Sequence, residues 1–334
     1  MSGWRTGPKD AITDVPGIRV GHWTNRRAAT GCTVIRCDAA TFVAVETRGG
    51  APGTRETEVL AHPNLVRRAH AVVLTGGSAF GLESATGVMR RLSEEGVGFP
   101  TAKIPVPIVS AAVLYDLGIG LPDAHPDDKA GYLAAKRAKG GLVEQGSVGA
   151  GTGATVAKLL GMEHALKGGL GTASVAGPRG LIVGAIVANN AAGTVNEPDT
   201  GRMVAGPRDG RGGFVSAAEA MERRTEQMDT LMENTVLICV ATNAATDHHH
   251  LQRLAIQAHD GLARAVFPAH TFADGDIAVA IAMGQEPVQP DDPIVLGMMT
   301  VRAVERALVR SVTCATSLND VPSVSDYVAG SSRC

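Results

Sequence analysis

The sequence predicts an α/β fold in which buried strands alternate with amphipathic helices. Short runs rich in β-branched residues recur along the chain, and most are apolar throughout rather than alternating. Such runs are typical of strands that are covered on both faces. Between them lie stretches with apolar residues at helical spacing. Because both patterns extend over the whole length and no repeat is visible, we expect a single domain.

The predicted strands are short and separated by turn formers or helices. They comprise Cys32 to Ile35, Thr41 to Glu46, Ala71 to Leu74, Gly180 to Val187, Val236 to Ala241 and Asp276 to Ala282.

Three amphipathic helices are predicted from apolar residues that recur every three or four positions. The first follows Ser78 as N-cap and runs to Leu92. The second opens at Thr246 or Asp247, and the third extends from Val301 to Val312.

A charged segment, Phe214 to Glu233, predicts an exposed helix. It follows a stretch rich in turn formers, Asn196 to Gly213, and ends at Asn234-Thr235, where the next buried strand begins. We therefore expect an exposed, cleavable connection inside the domain.

Composition and charge exclude several classes of protein. Of the 334 residues, 44% are hydrophobic and 19% are charged, as in ordinary globular proteins. The net charge of −2 and the lack of a basic run argue against a nucleic-acid partner. No apolar run is long enough to span a membrane, and the first residues lack a signal-peptide core. Five cysteines without a CxxC pair favour a reducing compartment, so we expect a cytoplasmic protein.

Three motifs have ordinary structural interpretations beside the functional ones. The run Gly149 to Ala154 fits a dinucleotide-binding pattern, but no strand precedes it, which favours a glycine-rich turn. The run His248 to His250 is not a metal site by itself, because consecutive helical residues point in different directions. A solvated first turn is favoured there. Asp274-Gly275-Asp276 fits a metal loop, a turn into a strand or a pair of catalytic carboxylates, and as a bare motif it favours the turn.

The pair Asn234-Thr235 also has a chemical interpretation. A threonine hydroxyl is a weak nucleophile unless a base lies beside it. In an enzyme with an N-terminal threonine that base is the α-amine, whose pKa of about 7.7–8.0 suits neutral pH. Cleavage before Thr235 would create such a terminus.

Together, several ordered segments resemble the L-aminopeptidase/D-esterase family of N-terminal-nucleophile hydrolases. This family includes the β-aminopeptidases and the 6-aminohexanoate-oligomer (nylon-oligomer) hydrolases. The similarity covers nearly the whole chain from Asp14 to the last helix. Its blocks are Asp14 to Thr24, Arg48 to Glu58, Leu74 to Val88, Ile108 to Leu117, Gly146 to Thr155, Leu166 to Ser174, Val187 to Gly193, Glu233 to Ala244 and His259 to Asp276.

The resemblance implies a four-layer αββα sandwich and a precursor that cleaves itself before its nucleophile. In this chain the products would be residues 1–234 and 235–334, which stay associated as a homo-oligomer, a tetramer or larger, of the two-chain unit. The nucleophile falls on Thr235, and the Asn-Thr pair matches the nylon-oligomer branch.

The resemblance also implies roles for other residues. Tyr115 would help to polarise the substrate carbonyl, and Asn190, favoured over Asn189, would donate into the oxyanion hole. Asp274 and Asp276 would orient the α-amine, and either could bind a substrate ammonium. Lys158 ranks first as the site lysine, with Lys167 as the alternative and a structural salt bridge open for both.

The expected activity is hydrolysis of short amides that carry an amino group. The nylon-oligomer branch is favoured, with an aminopeptidase or β-aminopeptidase as the alternative. A non-catalytic binding relative that is never processed belongs to a different class and also stays open. The expected partner is a small amide or peptide substrate, without nucleic acid or membrane, and no metal or organic cofactor is expected.

Overall fold

The computed structural model describes residues 4–40, 42–61, 63–223, 234–284 and 292–331. The strands within these ranges are β1 (Arg19–Asn25), β2 (Thr30–Arg36), β3 (Phe42–Thr47), β4 (Thr54–Arg55), β5 (Ala71–Thr75), β6 (Val109–Val113), β7 (Thr155–Val156), β8 (Leu166–Lys167), β9 (Gly169–Ala176), β10 (Ile182–Asn190), β11 (Thr194–Asn196), β12 (Met203–Ala205), β13 (Thr235–Thr242), β14 (Val266–Phe267) and β15 (Ile277–Ala282). The α-helices are α1 (Ser84–Glu94), α2 (Asp128–Arg137), α3 (Ala217–Arg223), α4 (His248–Ala265), α5 (Pro293–Thr313) and α6 (Val324–Ser331).

Two five-stranded sheets form the centre of the molecule. One has the order β1-β2-β5-β6-β4, and the other has the order β3-β15-β13-β10-β9. Most neighbouring strands are antiparallel, but β5 pairs with β6, and β13 with β15, in parallel. The second sheet therefore has β13 at its centre, between β10 and β15.

The side chains of the two sheets divide the core into layers. Ile35 and Leu74 of the first sheet share one apolar cluster with Ile186 and Leu237 of the second, so the sheets pack face to face. The outer face of the second sheet packs on α4 and α5, and that of the first packs on α1 and α2. This order of layers confirms the predicted αββα sandwich.

Each predicted strand is present, although several are longer than predicted and residue 41 lies outside the described ranges. Asp247 caps α4 as predicted, since its side chain accepts a hydrogen bond from the His250 N–H at 2.8 Å. The prediction for Ser78 was wrong, because Ser78 has φ +52° and lies in a 3-10 turn, Ser78–Glu83, that precedes α1. Of the predicted exposed helix, α3 covers Ala217–Arg223, and residues 224–233 lie outside the described ranges.

Two further motifs are structural. Gly149–Gly151 forms a single 3-10 turn, and the element before it is helix α2 rather than a strand, in agreement with the predicted glycine-rich turn. The first turn of α4 is only partly solvated, because His248 is buried and its Nε2 lies 3.0 Å from the Leu60 carbonyl oxygen. Within the described ranges, no helix combines the length and apolar character needed to cross a membrane.

Candidate functional site

Thr235 opens the central strand β13 and lies opposite Asn190, the last residue of β10. Because side chains alternate along a strand, Thr235 faces the same side as Leu237 and Cys239, which contribute to the core between the sheets. The hydroxyl therefore lies at the end of the inter-sheet space rather than among the helices. Thr235 is 6% exposed, so burial holds its side chain in place.

The Thr235 hydroxyl lies beside the peptide bond that precedes it. Its Oγ1 donates to the Asn234 carbonyl oxygen at 2.6 Å, and the Gly275 N–H donates to the same oxygen at 2.9 Å. A side chain at position 275 would collide here, because its Cβ would lie 2.7 Å from Thr235 Oγ1. The backbone N–H of Gly275 is thus positioned where negative charge would develop during attack on the Asn234 carbonyl.

Asp276 supports the start of strand β13. Its Oδ1 accepts a hydrogen bond from the Val236 N–H at 2.8 Å. Its Oδ2 lies 2.9 Å from His270 Nδ1 and accepts from the His270 N–H at 3.0 Å. Both oxygens of this buried carboxylate therefore have donors in the protein.

Asp274 lies in the same turn, and fewer of the described hydrogen bonds compensate the negative charge of its carboxyl group than compensate that of Asp276. The Thr271 N–H donates to its Oδ2 at 2.7 Å. Burial raises the pKa of Asp274, and the nearby charge of Asp276 raises it further, while the hydrogen bond from Thr271 and the charge of Lys158 oppose the rise. The two carboxyl groups thus differ in environment, and Asp274 gains a proton more readily than an ordinary aspartate.

Two histidines beside Asp276, His259 and His270, have pKa values that are shifted in opposite directions. Burial lowers the pKa of His270, but its pairing with Asp276 more than offsets this, so the pKa is raised overall. Burial lowers the pKa of His259, whose ring packs edge-on against His270, to about 4. His270 therefore takes up a proton more readily than His259 or an ordinary histidine, and no pattern in the sequence indicated it.

The segment after β3 holds the turn of Asp274 and Asp276 from the other side. The Arg48 N–H donates to the Asp276 carbonyl oxygen at 3.0 Å, and the Ala51 N–H donates to the Asp274 carbonyl oxygen at 2.9 Å. Gly49 permits this approach, because a Cβ there would lie 2.2 Å from the Asp274 carbonyl oxygen. This contact gives a physical reason for the glycines of the Arg48 to Glu58 block.

Asn190 faces Thr235, whereas Asn189 faces the helices. The Asn190 Nδ2 donates to the Tyr115 carbonyl oxygen at 3.0 Å, and its Oδ1 accepts from the Thr155 N–H at 2.9 Å. Asn189 instead donates to Ser311 on α5 at 3.1 Å. Alternation along β10 therefore places Asn190, and not Asn189, on the side of Thr235. The structure brings the Tyr115 carbonyl to this amide, and the polarising role of the Tyr115 side chain stays a prediction.

The two candidate lysines occupy different places. Lys158 Nζ donates to the Asn190 carbonyl oxygen at 3.0 Å, and its charge acts on Asp274. Lys167 is fully buried, and its Nζ donates to the Thr152 carbonyl oxygen at 3.0 Å. Lys158 thus lies beside the candidate site, and Lys167 lies in the interior next to the glycine-rich turn.

Two other kinds of candidate, the thiol in β13 and a metal cluster, provide no second centre in the described parts of the chain. Burial raises the pKa of the Cys239 thiol well above its ordinary value, so Cys239 is an inert core residue there. No group of three or more histidine, cysteine or acidic side chains is arranged to hold a metal ion in these parts.

Comparison with known proteins adds to this geometry. The family model of peptidase family S58 matches residues 10–323. An uncharacterised aminopeptidase of Mycobacterium tuberculosis (strain ATCC 25618 / H37Rv) is 37% identical over 96% of this chain and 98% of its own. A 6-aminohexanoate-oligomer endohydrolase of Kocuria sp. (strain KY2) is 29% identical over 83% of this chain and 76% of its own.

Solved structures share the fold. The L-aminopeptidase D-Ala-esterase/amidase of Ochrobactrum anthropi, a variant of the Ntn hydrolase fold, superposes with a TM-score of 0.72 and 22% identity. That match covers 95% of this chain and 90% of the other. A β-aminopeptidase of Burkholderia sp. superposes with a TM-score of 0.71 and 22% identity, over 99% of this chain and 96% of the other.

Proposed function

This chain belongs to peptidase family S58 and is a hydrolase of amide or peptide bonds; on that basis we propose that it cleaves itself between Asn234 and Thr235 and then uses Thr235 as its nucleophile. The observation that carries the proposal is the position of Thr235. Its hydroxyl lies 2.6 Å from the Asn234 carbonyl oxygen at the start of a buried central strand.

Self-cleavage begins with attack of Thr235 Oγ1 on the Asn234 carbonyl carbon. The Gly275 N–H stabilises the negative charge that develops on the carbonyl oxygen. The C–N bond then breaks, the Thr235 nitrogen takes up the proton, and Asn234 is left as an ester on Oγ1. Water hydrolyses this ester, which releases the Asn234 carboxylate and leaves Thr235 with a free hydroxyl and a free α-amine.

Turnover uses the same hydroxyl with the new amine as base. Thr235 Oγ1 attacks the substrate amide carbon, and the α-amine takes the hydroxyl proton and passes it to the leaving amine. Asn190 donates to the substrate carbonyl oxygen, and Tyr115 helps to polarise the same carbonyl. Water then hydrolyses the acyl-enzyme and regenerates Thr235.

The two aspartates support the base in different ways. Asp276 fixes the first amide of β13 after the nucleophile, because it accepts the Val236 N–H. Asp274 has the less compensated carboxyl group and presents negative charge to an ammonium, either that of Thr235 or that of a substrate. Lys158 connects Asp274 with Asn190, because its charge acts on the Asp274 carboxyl group and its Nζ donates to the Asn190 carbonyl oxygen.

For the substrate, we favour short amides that carry a free amino group, with ω-amino-acid oligomers first. The Asn-Thr junction, the paired aspartates and the similarity to 6-aminohexanoate-oligomer endohydrolases support this choice. Relatives of higher identity are named aminopeptidases, which supports release of N-terminal residues as the second candidate. Parallel assays of 6-aminohexanoate oligomers, β-peptides and amino-acid amides separate the two. The larger kcat/KM identifies the class.

The intact mass of the purified, denatured protein tests self-cleavage directly. We expect two species that match residues 1–234 and 235–334, with Thr235 as a new N-terminus. Thr235→Ala should give one full-length mass and no turnover, whereas Thr235→Ser, which keeps a hydroxyl, should be cleaved.

Cleavage of Thr235→Ala at the same bond would contradict the scheme. A wild-type chain that stays intact and inactive after prolonged incubation would favour the non-catalytic binding relative instead. Size-exclusion chromatography with light scattering on the same samples tests the proposed homo-oligomer.

A further inference from the structure

Asp116 and Lys167 are buried ionisable residues that the proposed mechanism does not use. Asp116 is 3% exposed and Lys167 is fully buried. The Gly77 N–H donates to Asp116 Oδ1 at 2.7 Å. Lys167 Nζ donates to the Thr152 carbonyl oxygen at 3.0 Å and also to the Ala154 carbonyl oxygen. Both residues belong to the glycine-rich segment, Gly149 to Ala154.

The glycine-rich segment connects these two side chains physically. A Cβ on Gly153 would lie 2.5 Å from Asp116 Cβ and 2.7 Å from its Oδ2, so this backbone packs directly on the aspartate. Lys167 holds the carbonyl groups on either side of Gly153. The backbone of 152–154 is therefore held by the lysine, together with the Gly168 N–H that donates to the Ala154 carbonyl oxygen at 2.9 Å, and it packs against the aspartate.

Both backbone groups that orient the Asn190 amide are next to this arrangement in sequence. Tyr115, whose carbonyl oxygen accepts from Asn190 Nδ2, immediately precedes Asp116. Thr155, whose N–H donates to Asn190 Oδ1, immediately follows Ala154. An amide rotated by half a turn would place its oxygen against the Tyr115 carbonyl oxygen and its NH₂ group against the Thr155 N–H. Only one orientation satisfies both contacts.

The pKa shifts of Asp116 and Lys167 indicate that each residue is affected by the charge of the other. Burial lowers the pKa of Lys167 to about 7, and the charge of Asp116 opposes this, whereas Lys158 and Arg26 add to it. Burial raises the pKa of Asp116 to about 6, and Gly77, Thr30 and Lys167 oppose this rise. Each of the two groups therefore favours the charged form of the other.

We propose that Lys167, with Asp116 as its buried counter-charge, is a positioning residue that holds the Asn190 amide with its N–H toward the reacting carbonyl. Lys167 does so through the carbonyl groups of Thr152 and Ala154, which set the position of the Thr155 N–H. Burial of the lysine costs stability, and its hydrogen bonds to the two carbonyl groups supply the geometric role that we propose. This inference rests on the proposed role of Asn190 in turnover.

Lys167→Met keeps most of the unbranched side chain and removes the amino group, with its charge and its hydrogen bonds. We expect kcat to fall roughly ten- to a hundredfold, less than the ~10²–10³-fold typical for loss of an oxyanion donor, with little change in KM. Self-cleavage should persist, because the Asn234 carbonyl oxygen is held by Gly275 and Thr235 instead. Lys136→Met, on the exposed face of α2, is the matched control.

A second variant separates position from stability. Lys167→Met leaves Asp116 as an uncompensated buried charge and should lower Tm. Lys167→Met/Asp116→Asn removes both charges and keeps an acceptor for the Gly77 N–H. We expect the double variant to regain Tm while kcat stays low, because the contacts to Thr152 and Ala154 are still missing.

The outcomes distinguish this inference from the function on which it rests. Recovery of kcat together with Tm in the double variant would overturn the positioning role, as would Lys167→Met with the kcat of Lys136→Met. In both cases an active wild type leaves the proposed function intact. A wild-type protein without turnover would overturn both.

Discussion

The two sides of Thr235 are built in different ways. On one, which we term the carboxylate side, His270, Asp274, Gly275 and Asp276 come from a single turn before β15. On the other, the amide side, Asn190 is oriented by Tyr115 and Thr155, which are distant in sequence. The charged groups beside Thr235 thus come from one turn, which the segment after β3 braces, whereas the neutral donor is oriented by two segments that are distant from it.

The two sides also compensate buried charge differently. On the carboxylate side the charged groups contact the start of β13 directly, because Asp276 accepts the Val236 N–H. On the amide side the buried charges of Asp116 and Lys167 contact only backbone among the hydrogen bonds described, and the group that faces Thr235 is the uncharged Asn190. We therefore expect substitutions on the carboxylate side to change pH dependence, and those on the amide side to change rate.

The largest expected effect on the amide side comes from Asn190→Ala. Loss of one oxyanion donor typically lowers kcat by ~10²–10³-fold. Self-cleavage should be affected much less, since the carbonyl oxygen of Asn234 is held from the carboxylate side by Gly275. Steady-state kinetics and intact mass on the same sample measure the two reactions separately.

Asn189→Ala is the control for this variant. Asn189 is the neighbouring residue on β10, but it contacts Ser311 on the helix side. Its loss should lower Tm and leave kcat near that of the wild type. If the two variants lost kcat equally, the two faces of β10 would not differ in function as we propose.

The sequence brings the two aspartates together, but only the resemblance implied a role for them, as it did for Asn190. His270, on the carboxylate side, was not predicted. Asp274 and Asp276 form one local motif beside a predicted strand, and strand alternation would also have separated Asn190 from Asn189 once the bounds of β10 were known. The roles of Lys158 and Lys167 depend on which backbone carbonyl groups lie nearby, and no spacing in the sequence contains that information. Burial of His248 likewise depends on contact with Leu60, which is far away in the chain.

A smaller effect on rate, with a distinct pH signature, is expected for Asp274→Asn. In the proposed cleaved enzyme, the Asp274 carboxylate would stabilise the ammonium form of the Thr235 α-amine and so raise the pKa of that amine. Its removal should move the acid limb of the kcat/KM profile to lower pH. Impaired orientation of the base should also lower the plateau roughly a hundredfold, the low end for acid–base groups.

Asp276→Asn gives the matched comparison within the same turn. Asp276 accepts the Val236 N–H and pairs with His270, so its substitution should lower Tm and shift the acid limb less than Asp274→Asn does. Equal shifts in the two variants would show that the two carboxylates act as one group. That result would remove the division of roles that their environments suggest.

The smallest effect is expected for His270→Gln, and it concerns stability rather than rate. Pairing with Asp276 outweighs burial and raises the pKa of His270 above its ordinary value of 6.5. The stabilisation is therefore fully present below pH 6.5 and is lost as the pH rises through the pKa of the folded state. A hydrogen bond to a charged group contributes roughly 1.5–3 kcal/mol. The Tm of His270→Gln should thus fall below that of the wild type at pH 6 and approach it at pH 9. A Tm difference that is independent of pH would mean that His270 supports Asp276 as a neutral donor, and the carboxylate side would then lack its compensating charge.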